Sequence, residues 1–417
     1  MRKRFAAIIS AALCLLFLFP FTACGESGKL IGYTSYAYFN TSAVWAFRSE
    51  NGKETDADAE VWEQIKTRLG EIENSVSSEA EESSIARFNR AAAGETVQID
   101  GTAYALLLQA KEMYVKTEGA YNPAVGLLVD LWGFSPRFTG TEGAADPQPY
   151  DTLVHFDSNG DGEEDAYKFV LPQEKYLTAF RNLSDFSAVE LFEKDGEYFA
   201  KKPNTAFAVV ADETGTEHTY TMQLNLGGIG KGYAVDEAER LIRAAGYRFG
   251  YFNLGASSMC VLRDFRNKDE TWEIGLGNPR LSERFPASEY GTVKQTDISL
   301  SSSGDYEQYH MIEGRRHCHI INPFTGYPIN AQPQNAKGSG IIVASVFGLS
   351  AAEGDATTTA LMVMGKEKAL AYLAEKLPEK QFVFIYYNGE DDSYTVYTNM
   401  NDSSLFGIVS GMVTEKI

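Results

Sequence analysis

The chain has 417 residues, 44% of them hydrophobic and 23% charged, with a formal net charge of −20. That length and apolar content give a globular chain with a sizeable core and exclude an intrinsically disordered one. The acidic excess, with no basic stripe to offset it, excludes nucleic acid as a partner. A phosphate ester bound by such a chain needs local positive charge, which a divalent cation commonly supplies.

Arg2, Lys3 and Arg4 precede an apolar run from Phe5 to Phe19, shorter than a membrane span. The run ends in Phe21-Thr-Ala-Cys24-Gly25, small residues before a cysteine as in a bacterial lipobox, with Phe21 where Leu is usual. Residues 1–23 are therefore expected to be a lipoprotein signal peptide, Cys24 the lipid-bearing N-terminus, and 24–35 a tether to a single domain over 36–417. An ordinary secretory signal with an incidental cysteine is the alternative. Either way the protein is expected outside the cytoplasm, and on the first reading it is anchored to the bacterial cell membrane. Cys260 and Cys318 lie in no CxxC pair, so neither zinc nor thioredoxin chemistry is expected of them. A disulfide between them and two buried thiols both remain open.

The aromatic and β-branched run from Tyr36 to Phe47 predicts a first strand. Val61, Ile65, Leu69, Ile72 and Val76 mark an amphipathic helix capped by Asp56 or Asp58. A short helix over Ser83 to Arg90 and a third over Thr102 to Thr117 follow, the latter stopped by Gly119. The Tyr121-Asn122-Pro123 corner breaks the helical pattern, and Asn122 is a polar side chain between two apolar segments. Residues 136–168 read as an acidic insertion. Within it Asp157, Asn159, Asp161, Glu163 and Asp165 alternate around a glycine as in a calcium loop, but Lys168 stands where the closing Glu belongs. Ca²⁺ and a solvated acidic turn both fit that stretch.

A helix restarts at Pro172, and strands with turns at Asp195-Gly196 and Thr214-Gly215 lead to Leu224-Asn-Leu-Gly-Gly-Ile-Gly-Lys-Gly-Tyr-Ala-Val-Asp236. Four glycines in six positions suit neither a strand nor a helix interior. They precede a helical pattern of Val235, Ala238, Leu241 or Ile242 and Ala245, with Gly246 as its stop. A glycine-rich turn feeding a helix N-terminus, with Lys231 beside it, is a phosphate site in outline. It is not a Walker A loop, because position 225 is Asn and Gly232 follows the Lys, and it lacks the last glycine of the dinucleotide fingerprint, where Tyr233 stands. A structural turn packing a helix on a sheet is the alternative.

Further strands are predicted over Tyr251 to Leu262, Trp272 to Gly277, Ile298 to Ser303, His317 to a turn at Asn322-Pro323 and Thr325-Gly326, and Gly340 to Phe347. His317 and His319 alternate on one strand with no third ligand nearby, so a metal is not expected there. Ala351 to Gly365 reads as a helix whose Asp355 and Thr359, four apart, offer oxygens on one face to a hard cation. Another helix over Lys366 to Leu377 and a hairpin through Asn388-Gly389 end the pattern.

Six of these stretches, in this order, closely resemble the ApbE-like family of FAD:protein FMN transferases. They are Ser83-Ser-Ile-Ala-Arg-Phe-Asn89, Gly119-Ala-Tyr-Asn-Pro123 with Leu131-Trp-Gly-Phe134, Leu226 to Asp236, Ser303-Gly-Asp-Tyr306, His319-Ile-Ile-Asn-Pro-Phe-Thr-Gly326 and Gly354-Asp-Ala-Thr-Thr-Thr-Ala360. The resemblance implies an α+β fold, a single domain of mixed sheets and packed helices that takes FAD and Mg²⁺. It implies transfer of FMN from FAD to a Thr or Ser hydroxyl of a partner flavoprotein, typically a flavin-carrying subunit of a membrane redox complex, with release of AMP. FAD hydrolysis to FMN and AMP, and a non-catalytic FAD-binding lipoprotein, are the alternatives. A calcium-dependent adhesin rests on residues 157–165 alone.

By position, the resemblance gives the metal to the Gly230 carbonyl, Asp355, the Thr358 carbonyl and the Thr359 hydroxyl. It lines the FAD site with Phe39, Ala120, Tyr121, Asn122, Gly227, Tyr233 and Ile321, and it makes His319 the functional histidine. Lys231 and Asp236 belong to the same motif. Asp355 and His319 are the two candidates for the base that takes the acceptor's proton. The chain departs from the family pattern at Asn225 and Asn322, where Asp is usual, and at Gly230, frequently Ala.

Overall fold

Alternation with period two builds the sheet that carries the site. Phe382 and Phe384 face one way and Val383 and Ile385 the other, and all four are buried, so this strand lies between two apolar layers. The computed structural model describes residues 28–417 apart from 79, 139–147, 157, 159–165, 283 and 410–411. The strand belongs to a nine-stranded sheet whose members follow one another in chain order. They are β1 (Lys29–Tyr38), β2 (Thr41–Ser49), β3 (Gly250–Leu254), β4 (Ser258–Val261), β5 (Ile298–Gly304), β6 (Gly340–Phe347), β7 (Gln381–Asn388), β8 (Ser393–Thr398) and β9 (Val413–Lys416). Every neighbouring pair is antiparallel except β8 with β9.

One face is covered by helices α1 (Asp56–Val76), α2 (Ser84–Arg90), α3 (Gly101–Lys116), α6 (Gly230–Ala244), α7 (Ala351–Met364) and α8 (Lys366–Lys376), which share a core with Trp45, Phe252 and Phe384. The other face packs on a three-stranded sheet through Trp272, Ile274, Val293 and Phe406. A third cluster joins α4 (Gly126–Leu131) and α5 (Glu174–Asn182) to the hairpin of Phe207–Ala211 and Glu217–Thr221. The mixed helix-and-sheet class expected from the sequence is the observed one. Among the described residues no helix is long and apolar enough to cross a membrane.

Several boundaries differ. Residues 29–35, read as tether, are the first part of β1, because Tyr33 stacks on Trp45, Phe47 and Trp62 and so has apolar surface to bury. The predicted strand over Tyr36 to Phe47 is instead a hairpin that turns at Phe39 and Asn40, both at positive φ. Helix α1 is capped by Thr55, with Asp58 closing a capping box. Helix α5 begins at Glu174, so Pro172 precedes it and does not sit in its first turn. Cys260 and Cys318 are free buried thiols. Cys24 and the signal segment, and the calcium candidates Asp157, Asn159, Asp161, Glu163 and Asp165, lie outside the described residues. The strands on either side of the calcium candidates, Leu153–Phe156 and Ala166–Phe169, pair antiparallel.

Candidate active site

The glycine-rich stretch is positioned from both ends. Asn89, at the end of α2, treats Leu224 as a strand partner: its Oδ1 accepts from the Leu224 N–H at 2.7 Å and its Nδ2 donates to the Leu224 carbonyl at 3.0 Å. The Asn225 N–H donates to the Pro123 carbonyl at 2.7 Å. Asn225 Oδ1 then accepts from the Gly227 N–H at 2.8 Å, a side-chain-closed turn that delivers the chain to the N-terminus of α6. Here the Asn that stands in place of the usual Asp still supplies the turn's acceptor.

Helices α6 and α7 cross at their first turns, and each supplies an acid to the other. Asp355 of α7 accepts at Oδ2 from the Gly232 N–H at 3.1 Å. Asp236 of α6 accepts from the Ala351 and Ala352 N–H groups at 2.7 and 2.9 Å, satisfying donors that α7 leaves open at its start. Burial pushes the Asp236 carboxyl up to about 6 against the pull of those two amides. The approach depends on Gly232, where a Cβ would stand 2.2 Å from the Ala351 carbonyl oxygen. Gly232→Ala is accordingly expected to cost about 3 kcal/mol in a urea or guanidinium unfolding curve, as overpacking against rigid backbone does.

Beyond this crossing lies an open cavity of about 240 Å³. Its wall takes Gly227, Gly228 and Lys231 from the α6 entry, Asp355 and Thr359 from α7, and Ser302, Ser303 and Gly304 from the end of β5. Ala120, Tyr121 and Asn122 come from the corner after α3, and His319 and Ile321 from the segment after Arg315–Cys318. Room for Thr359 and Tyr121 to meet the loop exists because Gly228 has no side chain: a Cβ there would lie 3.1 Å from Thr359 Oγ1 and 3.5 Å from Tyr121 Cε2.

Charge in the cavity centres on Asp355, 3% exposed. Burial raises its carboxyl, and Lys231 together with the Gly232 amide pulls it back. Lys231 also acts on Glu307, a wall residue whose carboxyl burial raises and Asp355 raises further. His319 Nδ1 lies 3.2 Å from the Gln308 carbonyl. A carbonyl only accepts, so Nδ1 carries the proton and the Nε2 lone pair is left open. Burial lowers His319 to about 4, and Lys231 contributes, so the ring is neutral near pH 7.

The structure therefore brings Ala120, Tyr121, Asn122, Gly227, Lys231, His319, Ile321, Asp355 and Thr359 to one wall. Other candidates lie off it. Asp236 spends both oxygens on the start of α7. Tyr233 packs in the helical core. Gly230 opens α6 and Phe39 is the nearest side chain to where its Cβ would be, at 3.9 Å, and neither lines the cavity. The Thr358 hydroxyl turns back to the Gly354 and Asp355 carbonyls, both at 3.0 Å, and meets Ser303 Oγ at 2.8 Å. Asn122 lines the cavity, yet its amide donates to the Ser184 carbonyl and its oxygen accepts from the Ala124 N–H, so it shapes the corner. Asp305 forms a bidentate pair with Arg280 at 2.8 and 2.7 Å. Ser302, Ser303, Glu307 and Gln308 are wall residues that the sequence reading missed. The signal for the two serines was a run of hydroxyl side chains, Ser301-Ser-Ser303, where a strand ordinarily carries branched apolar ones, and Glu307 and Gln308 had none.

Among the described residues no three His, Cys, Asp or Glu side chains cluster as a metal cage. The donors on offer are one buried carboxylate, hydroxyls and backbone carbonyls, the hard oxygens that Mg²⁺ prefers. Asp355 fits such an ion because its one hydrogen bond among the described residues leaves a desolvated negative charge to be balanced.

A family model described as the ApbE family matches residues 41–384. An FAD:protein FMN transferase of Treponema pallidum is 28% identical over 330 residues, covering 78% of this chain and 76% of that protein. One from Vibrio cholerae is 24% identical over 337 residues, 81% of each. The solved flavin transferase ApbE of Vibrio cholerae superposes with a TM-score of 0.66 at 22% identity, over 91% of this chain and 99% of that one. The apo flavinyl transferase ApbE of Pseudomonas stutzeri gives 0.65 at 20%, over 92% and 99%. These two share the fold.

Proposed function

The chain belongs to the ApbE family, and from that membership we propose that it is an enzyme transferring FMN from FAD to a Ser or Thr hydroxyl of a partner protein. The observation that carries this reading is the convergence of Gly227, Gly228, Lys231, His319, Asp355 and Thr359 on one cavity wall. A helix start with a lysine suits a pyrophosphate, and a neutral imidazole beside it suits proton removal.

In the reaction, the acceptor oxygen bonds to the FMN-side phosphorus. The bond from that phosphorus to the bridging oxygen breaks, and AMP leaves with the bridge. The hydroxyl proton passes to His319 Nε2, the one lone pair the Gln308 contact leaves open. Asp355 is thereby read as a metal ligand and His319 as the base. Lys231, at the start of α6, holds the phosphates in line. The Gly230 carbonyl, Asp355, the Thr358 carbonyl and Thr359 would hold Mg²⁺, which when bound neutralises charge on the pyrophosphate and the leaving phosphate.

We further read residues 1–23 as an export signal and Cys24 as a lipid anchor, which sets the cavity outside the cytoplasm beside flavin-carrying subunits of membrane redox complexes. The basic start, apolar run and small residues before Cys24 support this.

The test is incubation of the protein with FAD, Mg²⁺ and a Thr-bearing flavoprotein subunit, followed by intact mass. The acceptor is expected to gain the mass of FMN. FMN and AMP without an adduct would mean hydrolysis, and unchanged FAD a carrier. With excess EDTA, adduct formation is expected to stop and to return on adding Mg²⁺; a rate unaffected by EDTA would remove the metal from the reading.

A further inference from the structure

Two buried hydroxyls on the cavity wall, Tyr121 Oη and Ser257 Oγ, have no hydrogen-bond partner among the described residues. Tyr121 belongs to the FAD wall that the family resemblance implies, whereas nothing in the sequence reading singles out Ser257. Ser257 is 8% exposed and ends the turn between β3 and β4. The turn that carries it is held through its main chain. The Gly255 N–H donates to the Ser42 carbonyl at 2.9 Å, the Ala256 N–H to Asn253 Oδ1 at 3.1 Å, and the Ser302 N–H to the Ser257 carbonyl at 2.7 Å. Ala256 is fixed at φ 56°, a conformation that disfavours any side chain and persists only where neighbours enforce it. The next residue, Ser258, meets Ser301 Oγ at 3.2 Å, so its hydroxyl is satisfied within the fold.

A buried hydroxyl left unpaired costs stability, and a rigid turn that aims one into a substrate cavity gains nothing from it in the empty protein. We propose that Ser257 is a substrate-binding residue whose hydroxyl donates a hydrogen bond to a phosphate or sugar-alcohol oxygen of bound FAD. The assignment rests on the reading of this cavity as the FAD site. It adds a donor from the turn between β3 and β4, so the dinucleotide is gripped from the sheet as well as from α6 and α7.

The test uses the full chain with Ser257→Ala and Ser257→Cys, titrated with FAD by flavin fluorescence. Loss of one net hydrogen bond predicts affinity roughly five- to tenfold weaker in both variants. The melting temperature without FAD is expected to stay level or rise, since an unsatisfied group has been removed, and the stabilisation by FAD to shrink. Competition by FMN and by AMP assigns the half of the dinucleotide: the weakening follows whichever nucleotide Ser257 touches. Wild-type affinity in both variants would overturn the proposal, as would a weakening accompanied by a lower melting temperature, the mark of a structural role. Failure of the wild-type chain to bind FAD would instead overturn the reading of the cavity, and the assignment with it.

Discussion

Asp355→Asn is expected to lower FMN transfer by about a thousandfold or more, the scale on which a metal ligand and its charge act on developing phosphate charge. The fold should survive. Asparagine has the shape of aspartate, and its oxygen can still accept from the Gly232 N–H that Asp355 holds at 3.1 Å. What disappears is the negative charge, buried at 3% exposure and raised by desolvation. Removing a desolvated charge while keeping its hydrogen bond is neutral or stabilising, so the melting temperature should not fall. Adduct formation followed by intact mass, with thermal unfolding of the same preparation, separates loss of chemistry from loss of structure. A variant that is fully active with Mg²⁺ would discard Asp355 as the metal's ligand.

The second large effect is expected at His319. Replacement by Gln keeps a donor for the Gln308 carbonyl but removes the basic nitrogen, and should lower transfer by about 10²- to 10⁴-fold, the usual contribution of a general base. FAD affinity should change little, because the role assigned to the ring is with the acceptor's proton. Its pH signature has a definite sign. Burial lowers His319 from 6.5 to about 4, so the basic form persists until the pH approaches 4, and the acid limb of the rate profile belongs there and not near 6.5. Stability moves in a linked way. Between pH 4 and 6.5 the unfolded chain binds a proton that the folded chain refuses, so this histidine makes stability rise with pH across that window. The Gln variant should lose that component of the slope. A rate limb centred near 6.5 would place the titrating base elsewhere.

Much of this architecture was legible in the chain because it is written locally. Val61, Ile65, Leu69 and Ile72 at helical spacing gave α1, and the turn at Asn388-Gly389 gave the hairpin that β7 and β8 form. The paired Asp355 and Thr359, four apart, reached the same wall as Lys231, as their spacing and the glycine turn together suggested. The glycines themselves divided their work in a way no spacing reveals. Gly228 makes room for Thr359 and Tyr121, whereas Gly232 lets two helices touch, so a stretch read as an anion loop is in part a packing device.

The rest was hidden because its partners are distant in sequence. Asp236 sits in the motif beside the phosphate loop, yet its carboxylate is used 115 residues away on the start of α7. The first part of β1 looked like a polar tether because its apolar residues acquire meaning only against Trp45 and Trp62. Ser257 and Glu307 carry no motif at all. They join the site through β4 and β5, whose pairing sets Ser258 opposite Ser301.

The most direct measurement is a crystal structure of the chain with FAD and Mn²⁺ in place of Mg²⁺. An anomalous peak is predicted at the Asp355 carboxylate and Thr359 hydroxyl, with the pyrophosphate against Gly228 and Lys231 and the FMN-side phosphorus facing His319. FAD bound outside this cavity, or an ion that touches neither Asp355 nor Thr359, would contradict the account.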